Sequence, residues 1–218
     1  MKTVFFEARK RFDKLGAELK ELDSIEYGKI GLLASVQYTT IIGSIKKELE
    51  KRGKKVLMSK TLKYPGQILG CDISAASAIR DEVDAFLLIG SGRFHAYNVA
   101  VLGKPVMIWQ PGSKISIFPA DEIEKLNLRK KAMIARFIAS DKIGVLVSTK
   151  PGQQRLDAAL KVKKMLEKKG KEVFLFISDT IQKNELENFK IDVWINTACP
   201  SLIHDLPNTI NLDAIKDF

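Results

Sequence analysis

Two cysteines carry the most distinctive chemistry in this sequence. Cys199 lies in the stretch VWINTACPSLIHD, where strand-like residues run towards Pro200, which cannot donate to a sheet ladder and so ends the strand. Cys71 precedes Asp72 and Ser74, either of which can cap a helix, and a helix N-terminus favours the thiolate form that binds metals. Each cysteine is therefore either a metal ligand at the end of an element or a small buried hydrophobic residue.

No other motif completes a site by spacing alone. The sequence contains no CxxC pair, no HExxH pattern and no three-cysteine loop, so two distant thiols are a weak metal signal. The stretch GSGRFHAYN departs from a dinucleotide fingerprint, because His95 stands where the third glycine belongs. Gly90 and Gly92 still allow a ligand to approach the backbone closely, and Arg93 is suited to an anion. His95 is either a ligand contact or a structural histidine.

An internal repeat indicates which elements position these residues. KIGLLASVQYT at 29–39 resembles KIGVLVSTKPG at 142–152, and a spacing of about 110 residues recurs between the segments that follow. In each copy a lysine-rich helix ends at a glycine, Gly53 or Gly170, which suits the left-handed position after a helix. A second strand led by aspartate closes each copy, in DAFLLIGSG at 84–92 and DVWINTACP at 192–200.

The alternation of strands and helices predicts an α/β fold with two similar three-layer α/β units, each with a small parallel sheet. The predicted strands are continuous apolar runs, as expected where helices cover both faces of a sheet. We expect domains at 1–118, with an extra N-terminal helix over 3–22, and at 119–218, with a helix over 120–140 after an irregular linker. The predicted strands are Ile30–Ala34, Val56–Met58, Phe86–Ile89, Gly144–Val147 and Val173–Ile177.

Four candidate loops follow predicted strands, namely SVQYT, GSGRFHAYN, STKPGQQR and NTACP. Ligands of open parallel sheets gather outside the carboxyl ends of the strands, so we expect all four loops to face the crevice between the two units. The third loop contains Ser148, Gln153 and Arg155, whose hydroxyl, amide and guanidinium groups can bind a polar ligand. Each loop taken alone is equally typical of an ordinary strand-to-helix turn.

Composition describes a globular chain, with 45% hydrophobic and 28% charged residues. The formal net charge is +10, but lysine and glutamate are mixed along helical stretches without interleaved aromatic residues, so we expect no nucleic-acid partner. The apolar runs are too short to span a bilayer, and the first residues are not typical of a signal peptide. Two cysteines give no disulfide framework, and we therefore expect a cytoplasmic protein with no membrane partner.

Four long motifs together resemble one family. YPGQILGCDISAA, VDAFLLIGSGRFHAYNVAVLGKPV, IGVLVSTKPGQQRL and VWINTACPSLIHD are similar to segments of the diphthamide-synthase family. The resemblance extends over roughly residues 28–212. Members of this family begin diphthamide formation on translation elongation factor 2.

The resemblance implies a fold, a cofactor set and a reaction. Three similar α/β domains would each give one cysteine to a single 4Fe-4S cluster, and Cys71 and Cys199 match the cysteines of the second and third domains. Reductive cleavage of S-adenosylmethionine would yield a 3-amino-3-carboxypropyl radical, which is transferred to a histidine of the elongation factor. No catalytic side chain is assigned. The residues implied to lie in loops facing S-adenosylmethionine are Gly90, Gly92, Arg93, His95, Ser148, Gln153 and Arg155.

The sequence departs from the family pattern at its start. It begins where the family's second domain begins, so we expect the first domain and its cysteine to be missing. The third iron ligand would then come from His95, an acidic side chain, a second copy of the chain in a homodimer, or a different polypeptide. We favour a transferase completed by a partner chain; the alternatives are a non-catalytic accessory subunit and an S-adenosylmethionine-binding paralogue that has lost the cluster.

Overall fold

The computed structural model of the chain describes residues 4, 6–12, 15–70, 72–90, 93–216 and 218, with the backbone alone for Ala17 and Phe94. Contacts divide the chain into two units, residues 2–126 and 127–218. The division falls inside the helix Ala120–Ala139. The domain bounds 1–118 and 119–218 stay a prediction.

The sheet of residues 2–126 has five strands in the order β2-β1-β3-β4-β5. The first four strands run parallel, and β5 is antiparallel to β4. The central strands β1 and β3 are almost entirely buried, since each has a strand on both sides and a hydrophobic cluster on both faces. The strands are β1 (Lys29–Ala34), β2 (Lys55–Leu57), β3 (Ala85–Ile89), β4 (Val106–Trp109) and β5 (Ser116–Ile117).

The described α-helices that accompany this sheet are α1 (Ile42–Lys51), α2 (Ser74–Ser77) and α3 (Arg93–Ala100). The apolar residues of α1 recur at helical spacing and form one buried face against the sheet. Gly53 follows α1 with φ +74°, so the predicted left-handed glycine is confirmed.

The sheet of residues 127–218 has four parallel strands in the order β7-β6-β8-β9. The helices are α4 (Ala120–Ala139), α5 (Leu156–Glu167) and α6 (Lys183–Leu186). Gly170, after α5, has φ +80°, which matches Gly53 in the first repeat. The strands are β6 (Lys142–Ser148), β7 (Glu172–Ser178), β8 (Val193–Asn196) and β9 (Thr209–Asn211).

The predicted α/β class, with two small and mostly parallel sheets, is confirmed, and α4 lies where a helix was expected over 120–140. All five predicted strands are present, with ends that differ by one or two residues. The irregular linker contains one short strand, β5, which is antiparallel because the chain turns back along β4. Within the described ranges, no helix combines the length and apolar character needed to cross a bilayer.

The N-terminal helix predicted over 3–22 is wrong for the described part of that segment. Residues 6–12 are not helical, and a 3-10 helix spans Ala17–Ser24 instead. The segment takes its partners from the rest of its unit: the Lys10 backbone N–H donates to the Gln37 carbonyl at 2.9 Å, and the Phe12 ring lies 5.8 Å from the Tyr38 ring. These long-range contacts replace the local ladder that a helix would form.

Candidate functional site

Cys199 lies in the loop that follows β8. The strand itself is buried along its whole length and ends at Asn196. A 3-10 helix, Pro200–His204, begins directly after the cysteine, with the proline at its first position, where no backbone N–H is needed. The Cys199 thiol is unpaired and half-buried. A free thiol is therefore presented near the carboxyl end of a parallel strand.

Two asparagines fix the backbone around this thiol. Asn196 is only 2% exposed, and its Oδ1 accepts a hydrogen bond from the Ala198 backbone N–H at 3.0 Å. Its Nδ2 donates to the Cys199 carbonyl at 2.8 Å and to Oδ1 of Asn211 at 2.7 Å. Asn211 Nδ2 in turn donates to the Pro200 carbonyl at 2.9 Å. Three consecutive residues of the loop are thus bound by two side-chain amides.

The loop is also tied to the neighbouring strand β6. The Thr197 hydroxyl donates to the Leu146 carbonyl at 2.7 Å, and its backbone N–H reaches the same oxygen at 3.1 Å. Ser201 lies two residues after the cysteine, and its buried Oγ has no hydrogen-bond partner among the described residues. A buried hydroxyl without a partner is costly, so this group is suited to donate to a polar atom outside the described residues.

The loop after β6 holds three predicted ligand contacts. Ser148 is 2% exposed, and its Oγ accepts from the Lys150 backbone N–H at 3.1 Å, so it supports the turn. Gln153 is half-buried, and its backbone N–H closes that turn on the Lys150 carbonyl at 3.0 Å. Arg155 is exposed directly before α5 and forms no side-chain hydrogen bond or ion pair with the described residues. Of the three predicted contacts, Gln153 and Arg155 are accessible to a ligand, while Ser148 is buried.

The loop after β3 begins at Gly90, whose backbone N–H donates to the Trp109 carbonyl at 3.0 Å. A Cβ at this position would lie 3.6 Å from the Ser35 hydroxyl, which is ordinary contact. Ser35 follows β1, so the ends of β1 and β3 are adjacent, as the sheet order requires. Gly92 lies outside the described residues, and its role stays a prediction.

Arg93 is held within its own unit rather than free for a ligand. Its guanidinium pairs with the Glu122 carboxylate and lies 5.4 Å from the Phe118 ring centroid. A ligand carboxylate at Arg93 would therefore compete with Glu122. His95, two residues later on α3, is half-buried, and burial lowers the pKa of its imidazole. His95 is thus favoured in the neutral form that binds metals or accepts hydrogen bonds.

Cys71 lies outside the described residues, but the residues on either side of it are described. Leu69 and Asp72 exchange two backbone hydrogen bonds, at 2.9 and 3.2 Å. The Asn98 amide donates to the Gly70 carbonyl. The Asp72 carboxylate accepts from the backbone N–H of the first residue of α2 at 2.9 Å. The backbone before and after position 71 is therefore tied to fixed partners.

Cys199 is the predicted metal ligand that lies among the described residues. Within the described ranges, no three His, Cys, Asp or Glu side chains are grouped to hold a metal ion, and Cys71 is not among the residues searched. The half-buried Cys199 thiol on a fixed backbone fits one ligand position of an iron–sulfur cluster, whose irons are bound by cysteine thiolates. The partnerless Ser201 hydroxyl is compatible with a polar group nearby.

The described sheets are mostly parallel, as in an α/β protein, and Cys199 follows a strand of one of them; comparison with known proteins gives the family. The family model described as "Putative diphthamide synthesis protein" matches residues 1–207. The chain belongs to this family. The resemblance carried by the four long motifs is confirmed.

Curated relatives include three synthases. The chain is 32% identical over 204 residues to 2-(3-amino-3-carboxypropyl)histidine synthase of Pyrococcus horikoshii, covering 91% of this chain and 58% of that protein. It is 32% identical over 183 residues to the Methanocaldococcus jannaschii synthase, covering 76% and 51%. Against subunit 1 of the Schizosaccharomyces pombe synthase the identity is 29% over 188 residues, covering 81% and 42%. The chain thus spans about half the length of these relatives.

The fold matches a solved relative that carries a cluster. The crystal structure of Dph2 from Pyrococcus horikoshii with a 4Fe-4S cluster aligns with a TM-score of 0.77 at 28% identity. The alignment covers 92% of this chain and 59% of that chain. A second Dph2 structure from the same organism gives a TM-score of 0.78.

Sequence reasoning places Asn196 in the candidate loop NTACP without giving it a role, and it does not identify Asn211 or Ser201 as parts of the site. The available signal is an asparagine that closes an apolar run, in VWIN and again in TIN. A polar residue at the buried end of a strand needs hydrogen-bond partners, and these lie in the adjoining loop. The pairing itself depends on the register of β8 and β9, which the sequence does not show.

Proposed function

We propose that this chain takes part in the first step of diphthamide synthesis, the transfer of a 3-amino-3-carboxypropyl group from S-adenosylmethionine to a histidine of translation elongation factor 2. The observation that carries the proposal is the family match over residues 1–207. It is supported by the free Cys199 thiol at a strand end and by the solved relative with a 4Fe-4S cluster.

Cys71 and Cys199 are the proposed iron ligands. When bound, the 4Fe-4S cluster supplies the electron for reductive cleavage of S-adenosylmethionine. The two cysteines leave one ligand of a three-cysteine cluster site to be assigned. The candidates are His95, an acidic side chain, a second copy of this chain and a different polypeptide, and we favour a partner chain.

S-adenosylmethionine is assigned to the strand-end loops, with Arg155 and Gln153 as its main polar contacts. Arg155 is exposed and unpaired among the described residues, so its guanidinium can bind the carboxylate of the amino-acid moiety. Gln153 can both donate to and accept from ribose or amino-acid groups. Arg93 ranks below Arg155 because Glu122 already neutralises its charge. Backbone approach at Gly90 and Gly92, and contacts from Ser148 and His95, complete the proposed set.

The test is anaerobic purification followed by iron and sulfide counting, electron paramagnetic resonance and a transfer assay. Elongation factor 2 is incubated with S-adenosylmethionine, reductant and the chain, with and without a family member that has all three domains. The expected result is cluster formation and a modified histidine peptide in the mass spectrum. Cys199→Ala is expected to abolish both and to leave secondary structure unchanged. Absence of iron from the parent under every condition would refute the proposal.

A non-catalytic accessory subunit is the second candidate; within the described ranges no three ligating side chains are grouped to hold a metal ion. Such a subunit would bind a cluster or a partner and stimulate transfer without performing it. The two candidates predict different effects of loop variants on the transfer reaction. Loop variants in the S-adenosylmethionine contacts of this chain abolish transfer if it is the catalyst, and leave transfer intact if the partner binds the substrate.

A further inference from the structure

We propose that Asn196 is a positioning residue for the Cys199 thiol and that Asn211 holds Asn196 in place. The inference rests on the proposed function, because it treats Cys199 as an iron ligand. It concerns the geometry by which the loop after β8 presents its thiol.

The two asparagines lie directly opposite each other as the last residues of adjacent parallel strands, β8 and β9. This register brings their side-chain amides within 2.7 Å, with Asn196 Nδ2 donating to Asn211 Oδ1. Asn196 is thereby left with one N–H and one oxygen for the loop. It uses them on the Cys199 carbonyl, at 2.8 Å, and the Ala198 N–H, at 3.0 Å.

Only a side-chain amide meets these demands at position 196. A carboxylate would face the Cys199 carbonyl with a second oxygen, and a hydroxyl is too short to span both sides of the turn. An apolar side chain of similar size would fill the space and leave the Ala198 N–H and the Cys199 carbonyl without these bonds. Core packing alone therefore does not account for an asparagine that is 2% exposed here.

The hydrogen bonds act on the backbone directions that aim the thiol. Cys199 has φ −63° and ψ 121°, an extended conformation, and is followed by a proline whose ring fixes the next φ. Asn196 binds the Cys199 carbonyl and so fixes the peptide plane that follows the Cys199 Cα, while the bonds to the Ala198 N–H and the Pro200 carbonyl hold the next peptide plane on each side. Residues that hold a metal ligand in this manner commonly change metal affinity by about 10- to 100-fold when removed.

An asparagine makes a comparable contact in the other unit. Asn98, on α3, donates its amide to the carbonyl of Gly70, the residue before Cys71. An asparagine side chain thus donates to the carbonyl of the residue before Cys71, and another donates to the carbonyl of Cys199 itself. The contacts come from different elements, β8 in one unit and α3 in the other, so they do not follow from the internal repeat.

The test compares Asn196→Leu and Asn211→Leu with Thr197→Val as the matched control. Thr197 is equally buried in the same loop, and its hydroxyl bonds to the Leu146 carbonyl of β6 rather than to the cysteine segment. Three quantities are measured on the full chain. The first is the unfolding free energy, and the second is the rate at which iodoacetamide alkylates Cys199 in the iron-free protein, determined on the Cys199 peptide. The third is the iron content after reconstitution, together with the electron paramagnetic resonance spectrum.

Asn196→Leu is expected to alkylate several-fold faster at Cys199, to bind iron about 10- to 100-fold more weakly, and to change the spectrum. Asn211→Leu, which leaves two of the three Asn196 bonds in place, is expected to shift the same quantities less. Thr197→Val is expected to lower stability while its alkylation rate, iron content and spectrum match the parent. Asn196 and Asn211 variants that behave like Thr197→Val in alkylation and iron binding would overturn the proposal.

The alkylation measurement separates this inference from the proposed function. If the parent binds no iron, the proposed function fails, and the alkylation rates of the iron-free variants still decide whether Asn196 positions the thiol. If Asn196→Leu does not fold, Asn211→Leu supplies the comparison with Thr197→Val.

Discussion

Gly144 of β6 lies directly opposite Trp194 of β8, and the indole ring occupies the space that a side chain at position 144 would need. A Cβ there would fall inside van der Waals contact with ring atoms Cε3 and Cζ3. In the other unit Gly31 is opposite Phe86, whose Cδ1 would be 2.5 Å from such a Cβ. The glycine of the repeated KIG motif therefore serves packing, since it admits an aromatic ring from the next strand.

Gly144→Ala is accordingly expected to destabilise the chain. The added methyl group forces the buried Trp194 ring or the strand to move, and overpacking of this kind costs about 1–3 kcal/mol. Urea unfolding of parent and variant measures the difference. Gly43→Ala is the control, because an alanine Cβ there meets nothing within 4 Å on helix α1. The control is expected to raise stability by about 0.5–1 kcal/mol; equal effects of the two substitutions would contradict the packing argument.

Much of the fold was predictable because the central strands are buried on both faces. Such strands appear in the sequence as continuous apolar runs, as in β1 and β3, and these runs predict a strand without knowledge of the tertiary structure. The N-terminal segment was not predictable, since its conformation depends on contacts with Gln37 and Tyr38 that lie elsewhere in the sequence. β9 was not predictable either, because three residues between loops give no periodic signal.

The candidate site, too, was predictable only where a local sequence signal marks it. Pro200 marks the loop that holds Cys199, since a proline there must end the strand, and this much is visible in the sequence. The Asn196–Asn211 pair and the Arg93–Glu122 ion pair join residues from separate elements. Both pairs are set by strand register and helix placement, which no local pattern encodes.

Two aspartates at the same place in the repeat are predicted to anchor the first strand of each unit. Asp192 Oδ2 accepts from the Lys142 backbone N–H at 2.8 Å, and Asp84 Oδ2 accepts from the Lys29 N–H at the same distance. Asp192→Ala and Asp84→Ala are each expected to lower the unfolding free energy by about 1 kcal/mol. Asp81→Ala, which removes only an exposed ion pair, is expected to change it by less than about 0.5 kcal/mol in urea titrations.

Glu7 provides a pH-dependent contact between the N-terminal segment and the loop before Cys71. Lys63 donates to its carboxylate at 2.7 Å, and Arg9 and Tyr64 also bind it, which lowers the pKa of Glu7 to about 2. Since the folded pKa lies below the ordinary value of 4.5, this stabilisation is complete above pH 4.5 and is lost as the pH falls towards about 2.

The difference in unfolding midpoint between parent and Glu7→Gln is therefore expected to be constant at neutral pH and to shrink between pH 4.5 and about 2. Carboxyl-carbon NMR titration gives the pKa of Glu7 directly. Lys63→Met removes the strongest donor and is expected to raise that pKa towards its ordinary value. A Glu7 pKa that does not respond to Lys63→Met would show that the ion pair is not formed in solution.

The two arginines of the strand-end loops are expected to differ in S-adenosylmethionine binding. Arg155 forms no ion pair among the described residues, whereas the Arg93 guanidinium is engaged by Glu122 and the Phe118 ring. A ligand carboxylate gains a new bidentate contact at Arg155, but at Arg93 it must first displace an existing partner. The ligand therefore gains more from Arg155.

If the bound ligand buries the proposed contacts, Arg155→Ala and Gln153→Ala are each expected to weaken S-adenosylmethionine binding by about 1–3 kcal/mol, because each leaves a polar group of the ligand without its partner. Arg93→Ala is expected to have a smaller effect on affinity and to lower the unfolding free energy, since it breaks the contact with Glu122. Isothermal titration calorimetry on anaerobically reconstituted protein measures the affinities, and Lys161→Ala, an equal charge change on the exposed side of α5, controls for net charge. A larger loss of affinity in Arg93→Ala than in Arg155→Ala would place the ligand carboxylate beside α3. Parent-like affinity in both Arg155→Ala and Gln153→Ala would remove the loop after β6 from the binding site.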